Sequence, residues 1–222
     1  MADEIDPLTQ LCKDLEAYET DQWAVDAILR HELMTYHVVD PCVGKGRMAQ
    51  AARALGHEVH TMDIKDWSTV FPQAEKPMEV GDFLTSASPF PDNEATVFMN
   101  PPFSKACQFV DHSLDVLDAY KVICFQTFTW RSSDVRSDWW PKRPPARIWL
   151  CIDRASCFRF DVPEDCPMPE ACTEKKQRKC LKQGCMSATP TTHAFFVWER
   201  GHTGTTINDL HKANKKPSRI AK

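Results

Sequence analysis

The sequence predicts an α/β fold: a mainly parallel sheet of seven strands covered by helices on both faces. Three observations predict it. Short apolar strands alternate with helical segments from residue 19 to residue 140. Four successive strands end in Asp40, Asp63, Asp82 and Asn100. Two further apolar runs, at 146–153 and 192–200, then follow with no helical pattern between them. The composition suits such a fold, since 222 residues with 42% hydrophobic and 26% charged content are enough for one α/β domain carrying an insertion. Residues 1–222 are therefore read as a single domain.

Residues 19–33, ETDQWAVDAILRHEL, set Trp23, Ala27 and Leu33 with Val25, Ile28 and Leu29 broadly along one helical face, which predicts a helix. YHVVD (36–40) reads as a short buried strand ending in a carboxylate, PCVGKGR as a loop, and MAQAARALG as a helix closed by Gly56. HEVHTMD (57–63) is a second strand, MEVGDF (78–83) a third and EATVFMN (94–100) a fourth. After two prolines, CQFVDHSLDVLDAY gives a helix, and KVICFQ (121–126) is the fifth strand. TWRSSDVRSDWW reads as a helix stopped by Pro141. ARIWLCID (146–153) and THAFFVWER (192–200) complete the set. The stretch 161–190 is polar, cysteine-rich and irregular, and reads as an insertion between the last two strands; 205–222 reads as a basic C-terminal tail.

No run of about 18 apolar residues is present, so no membrane span is expected. MADEIDPLTQ is acidic and lacks the apolar core of a secretory signal, which makes a cytoplasmic location the expectation. The net charge of −4 argues against nonspecific coating of nucleic acid. Basic residues are nevertheless concentrated in EKKQRKCLK (174–182), in the tail, and over 131–154. Ten cysteines could suggest a disulfide scaffold, but Cys124 and Cys151 sit in apolar runs where a free thiol packs as a small hydrophobe.

In an open α/β sheet, ligands bind beyond the carboxyl ends of the strands. The loop DPCVGKGR puts Gly44 and Gly46 ahead of a helix N-terminus, where glycine lets the backbone approach a ligand. It is neither GxGxxG nor a phosphate-binding GxxxxGK[ST] loop. Asp63, ending the second strand, suits a ribose diol, and Asp82 could accept from an adenine amino group. Against this stands the plain role of aspartate as a cap for helices and turns. FMNPPFS (98–104) tips the balance: two prolines fix φ and remove two donors, so Asn100 and Phe103 are held on a rigid, extended, donor-poor corner.

The order YET (18–20), DPCVGKGR (40–47), TMD (61–63), GDFL (81–84) and MNPPFS (99–104) resembles the S-adenosylmethionine-dependent amino-methyltransferases, most closely the small phage-type DNA adenine-N6 methyltransferases. The resemblance covers residues 18–160 and, more loosely, HAFFVWERGHTG. It implies a Rossmann-like class I methyltransferase fold with an antiparallel last strand. Glu19 and Thr20 would support the methionine end of the cofactor, Asp40, Pro41, Gly44 and Gly46 its amino acid moiety, Asp63 the ribose, and Asp82 with Phe83 the adenine ring. The family commonly has proline after the threonine, whereas this chain has Asp21.

The resemblance assigns catalysis to Asn100, Pro101, Pro102 and Phe103. An exocyclic amine on adenine is a poor nucleophile because its lone pair is delocalised into the ring. Accepting both N–H protons, through the Asn100 side-chain oxygen and the Pro101 carbonyl, draws that nitrogen toward tetrahedral geometry. Phe103 would stack on the extruded base. The implied partner is double-stranded DNA. The same corner serves other sp² nitrogens, so ribosomal RNA adenine or guanine and protein glutamine are the alternative substrates. Cys42, although it follows Pro41, lies in the first loop and reads as a packed residue, not a nucleophile.

Cys166, Cys172, Cys180 and Cys185, with His193 as a substitute ligand, could form a structural zinc knob, although their spacings are looser than CxxC knuckles. Lys175 and Lys176 could face phosphates. Arg131 lies among Trp130, Trp139 and Trp140, a mixture that suits an extruded base or, for Trp140 especially, a helix packed on the sheet. Arg154 and Ser156 in RASCF resemble an arginine-x-serine-phenylalanine of small phage-type relatives and would line the rim of the site.

Overall fold

The structure, a computed structural model, describes residues 5–91, 94–153, 155, 157–161 and 191–213. The chain enters through α1 (Pro7–Asp14), where Asp6 caps the start by accepting from the Thr9 N–H at 2.9 Å and Pro7 opens the helix. β1 (Tyr18–Thr20) and α2 (Gln22–Leu29) follow. The helix expected over 19–33 is thus divided and shortened. Tyr18–Thr20 is drawn into an antiparallel pair with β8 (Cys157–Arg159), a tertiary contact that local periodicity does not reveal, and Leu33 is 88% exposed.

β2 (His37–Asp40), α3 (Arg47–Ala54), β3 (Glu58–Asp63), β4 (Glu79–Val80), β5 (Ala95–Met99), α4 (Ala106–Asp115) and β6 (Lys121–Thr127) give the predicted alternation. β7 (Arg147–Cys151), β9 (His193–Glu199) and β10 (Thr206–Leu210) complete one sheet in the order β10-β7-β9-β6-β5-β2-β3-β4. Every pairing in it is parallel except those of β9 with β6 and β7. The predicted fold class holds, with an eighth strand added. β10 lies in the stretch read as a basic tail and pairs in parallel with β7, Thr206 opposite Arg147 through Leu210 opposite Cys151. Its edge position leaves all but Leu210 at least partly exposed, so it lacks the alternating apolar pattern that marks a strand in sequence.

Neighbouring residues in the strands serve opposite faces. Val38 and Phe98 pack with Ala24, Val25, Ile28, Met48, Ala49 and Ala52 of α2 and α3. Val39, Val97 and Met99 pack with Phe109 and Val110 of α4 on the other side. The helix expected over 129–140 is instead two 3₁₀ turns, Phe128–Arg131 and Asp134–Arg136. The irregular path lets Trp130 and Trp140 pack edge to face at 4.7 Å and both meet Phe196, which bears out the packing role read for Trp140. At the amino ends of β6 and β7, Lys121 donates to Glu32 at 3.1 Å and Arg147 donates to Glu32 at 2.9 Å and to Glu199. Burial pushes the Glu32 pKa up, but hydrogen bonds from Arg147 and Trp149 and the Lys121 charge outweigh it and hold it low.

Candidate functional site: a cleft at the carboxyl ends of the strands

The chain leaves β2 toward β3 and β4 on one side, then returns to build β5 and β6 on the other. The gap beyond the carboxyl ends of β2 and β5 is therefore the topological switch point, where open α/β sheets bind ligands. A cavity of about 130 Å³ lies there, lined by Tyr18, Pro41, Cys42, Gly44, Asp63, Asp82, Phe83, Asn100, Pro102 and Phe160. A smaller pocket of about 20 Å³ adjoins it, lined by Tyr18, Glu19, Thr20, Asp40, Gly44, Arg47, Asn100 and Phe160. The strand-end residues singled out in the sequence are thus gathered around one cleft.

Phe160 stands between the two spaces. It is 5% exposed and packs edge-on against Trp67 at 5.0 Å. Gly44 adopts φ +56°, and a Cβ there would meet the Phe160 ring at 2.4 Å. Gly46 starts α3 at φ +99°, a conformation that side-chain-bearing residues rarely adopt. The glycines therefore permit a left-handed loop and close approach of an aromatic ring.

Asp63 ties this loop down, accepting from the Gly44 N–H at 2.9 Å and the Lys65 N–H at 3.1 Å. Burial raises its pKa from 3.8 to about 6, although those amide bonds pull the other way. Asp40, 2% exposed, accepts from the Cys42 N–H at 3.3 Å, and burial pushes its pKa well above the usual carboxylate range. Arg47 lies 3.7 Å from Glu19 and donates to the Thr20 carbonyl at 2.6 Å. The Thr20 hydroxyl is buried with no hydrogen-bond partner among the described residues. Asp82 is exposed and accepts from the Leu84 N–H at 3.0 Å, the capping role, while it also lines the cavity. Phe83 is 2% exposed, its ring packed on Phe109 and His112. Buried acids and an orphaned hydroxyl beside a glycine loop form a donor-hungry cleft, which fits a ligand carrying an ammonium group and sugar hydroxyls.

At the Asn-Pro-Pro-Phe corner, the Asn100 side-chain NH₂ donates to the Tyr18 carbonyl at 3.0 Å. The Pro101 carbonyl accepts from the side chain of Gln126, which is 1% exposed, at 3.3 Å. Phe103 lies parallel to Tyr18, with ring centroids 5.9 Å apart and planes at 2°. Ser104 gives both its N–H and its hydroxyl to the Glu16 carboxylate, at 2.9 and 3.0 Å. Sequence reading missed Glu16, Gln126 and Phe160. Tyr18, which was quoted only as part of YET, had no sign of its contact with Asn100, 82 residues away.

Arg131 is exposed, stacked over Trp140 at 4.8 Å, and does not line the cleft. His193, offered as a substitute zinc ligand, is buried with Nδ1 at 2.8 Å from the Ala155 carbonyl. Arg154, Ser156, Lys175, Lys176, Cys166, Cys172, Cys180 and Cys185 lie outside the described residues. Among the described residues no cluster of three metal-ligating side chains occurs, and no helix is long and apolar enough to cross a membrane. Cys42 is a partly buried thiol whose pKa burial pushes well up, as expected of a packed residue and not a nucleophile.

No protein-family model matches the chain, and no curated protein matches it. Some solved structures are partly similar to it. A Thermoplasma acidophilum protein is 15% identical with a TM-score of 0.48, covering 89% of this chain and 99% of its own. A TehB-like S-adenosylmethionine-dependent methyltransferase from Corynebacterium glutamicum is 11% identical with a TM-score of 0.42, covering 80% and 88%. A predicted O-methyltransferase from Agrobacterium tumefaciens is 11% identical with a TM-score of 0.48, covering 90% of each. At these values the likeness carries no argument about this chain.

Proposed function

We propose that the chain is an S-adenosylmethionine-dependent methyltransferase acting on the N6 amine of adenine in double-stranded DNA, with the target base extruded. One observation carries the amine-methylating part of this reading, and the resemblance of the motifs over residues 18–160 supplies the DNA target. The Asn100 carboxamide turns its NH₂ to the Tyr18 carbonyl, which leaves its oxygen to accept beside the Pro101 carbonyl. A corner with two carbonyl oxygens and no proline N–H is built to receive an NH₂ group.

Glu19, Thr20, Asp40 and the Gly44 backbone would hold the amino acid end of the cofactor, Asp63 the ribose, and Asp82 with Phe83 the adenine. Bound there, S-adenosylmethionine supplies a methyl group on a sulfonium sulfur. Asn100 and Pro101 would accept hydrogen bonds from the two amine N–H groups and turn the nitrogen lone pair out of conjugation. Phe103 fixes the plane of the base. No strong base is needed, because the methylated nitrogen is cationic and acidic and would release its proton to solvent water after transfer. Alignment of this kind is worth up to about 7–11 kcal/mol of barrier in favourable cases. Arg131, Arg154, Ser156, Lys175 and Lys176 belong to the proposal as DNA contacts.

The test is tritiated cofactor offered to DNA, RNA and protein in parallel. Label in DNA is expected. Label confined to RNA or to protein would move the substrate to one of the alternatives, and label in none would overturn the reading.

A further inference from the structure

We infer that Gln126 and Glu16 are positioning residues that clamp the Asn-Pro-Pro-Phe corner from two sides, an inference that rests on the methyltransferase reading above. The corner is a loop between β5 and α4, and its prolines leave Pro101 and Pro102 no N–H with which to anchor themselves. The reaction nevertheless requires its two acceptor oxygens to stay fixed, and something outside the corner must hold them.

On the sheet side the holder is Gln126. Its side-chain amide, buried near the end of β6, donates to the Pro101 carbonyl at 3.3 Å. A carbonyl oxygen has two lone pairs. With one committed to Gln126, the direction of the other is set, and that is the lone pair left for a substrate amine. On the open side the holder is Glu16. Its backbone sits at φ +48°, a conformation uncommon for a residue with a side chain. The turn after α1 thereby brings its carboxylate onto both donors of Ser104, the residue that follows Phe103. The same turn delivers Tyr18, whose carbonyl orients Asn100 and whose ring lies parallel to Phe103. A strained residue that serves a functional corner from 88 positions away fits a role in placement.

Gln126→Met keeps length and volume and removes the donor. Glu16→Ala removes the carboxylate at a partly exposed position on the wall of the cavity. Each variant is compared with wild type for kcat, for the KM of the methyl acceptor, and for cofactor Kd by calorimetry. Misplacement of about 1 Å at a reacting centre costs on the order of 100-fold. The expected result is a kcat lower by about 10- to 100-fold for Gln126→Met and at least about threefold for Glu16→Ala. Acceptor KM and cofactor Kd should stay within about twofold. A merely structural role would weaken cofactor binding and kcat together, and that pattern overturns the inference. So does a kcat within twofold of wild type in either variant that binds cofactor normally. If Gln126→Met does not fold, as read by its circular dichroism, Glu16→Ala decides alone. Absence of methyl transfer by the wild-type protein would instead sink the reading of the site, a separate outcome.

Discussion

The Asn100 side-chain NH₂ lies 3.0 Å from the Tyr18 carbonyl, so a strand near the start of the chain decides which way the carboxamide at the end of β5 faces. Asn100→Asp tests that orientation. A carboxylate would meet the Tyr18 carbonyl oxygen with like charge and turn away from it. A fall in kcat of about 100-fold is expected, with cofactor Kd little changed. Single-turnover rates with saturating cofactor measure it.

Asp63 shows the cost of a prepared site. Its pKa is raised from 3.8 to about 6 by burial, so the folded state resists its ionisation. Below about pH 3 it is protonated in both folded and unfolded chains and carries no penalty; the penalty grows as pH rises and reaches roughly 3 kcal/mol above about pH 7. Asp63→Asn removes the charge but keeps an oxygen for only part of the Gly44 and Lys65 bonds. The variant should be more stable than wild type by about 1 kcal/mol at pH 7.5, lose that advantage near pH 4, and bind cofactor at least tenfold more weakly. Denaturant titrations at the two pH values, with calorimetry at the higher, measure this.

Gly44 and Phe160 are coupled by contact. An added Cβ at Gly44 meets the Phe160 ring at 2.4 Å on a backbone already at φ +56°. Gly44→Ala should cost about 2 kcal/mol or more through left-handed strain and overpacking together. In Gly44→Ala/Phe160→Leu the steric part should be relieved, giving a double mutant more stable than the sum of the single changes. Chemical denaturation of the four proteins reads the coupling.

The end of the sheet away from the cleft carries a buried charge network. Glu32 is 4% exposed and accepts from Lys121, Arg147 and Trp149. Glu32→Ala leaves the buried Lys121 with only Glu199 at 3.5 Å and the Leu33 carbonyl at 2.6 Å, and should destabilise by about 2–3 kcal/mol. Lys121→Met/Glu32→Leu should recover much of that loss, because an apolar pair needs no partner charges. Thermal and denaturant unfolding check both.

Much of the fold was legible because its strands are buried on both faces and read as apolar runs: every residue of Ala95–Met99 is buried, and so are the first six of Lys121–Thr127. The cleft was legible where chemistry sits at strand ends, as with Asp40, Asp63 and Asn100, since the sheet places those ends side by side. What escaped was everything fixed by contact between distant segments. β1 is a strand only because Cys157–Arg159 pairs with it, and β10 is an edge with little apolar signal. Gln126 looked like one polar residue in KVICFQ, and Phe160 like one aromatic beyond β8. Their roles exist only once the sheet brings Pro101 and Gly44 against them.

The central claim is that Asn100 and Pro101 grip an adenine amine for methylation. Nucleoside mass spectrometry of DNA from cells expressing the wild-type protein or Asn100→Ala, in a host lacking adenine methylation, tests it most directly. The account predicts N6-methyldeoxyadenosine with the wild type and none with Asn100→Ala, while both purified proteins bind S-adenosylmethionine with similar affinity. Equal N6-methyldeoxyadenosine in both cultures, or none in either, would contradict it.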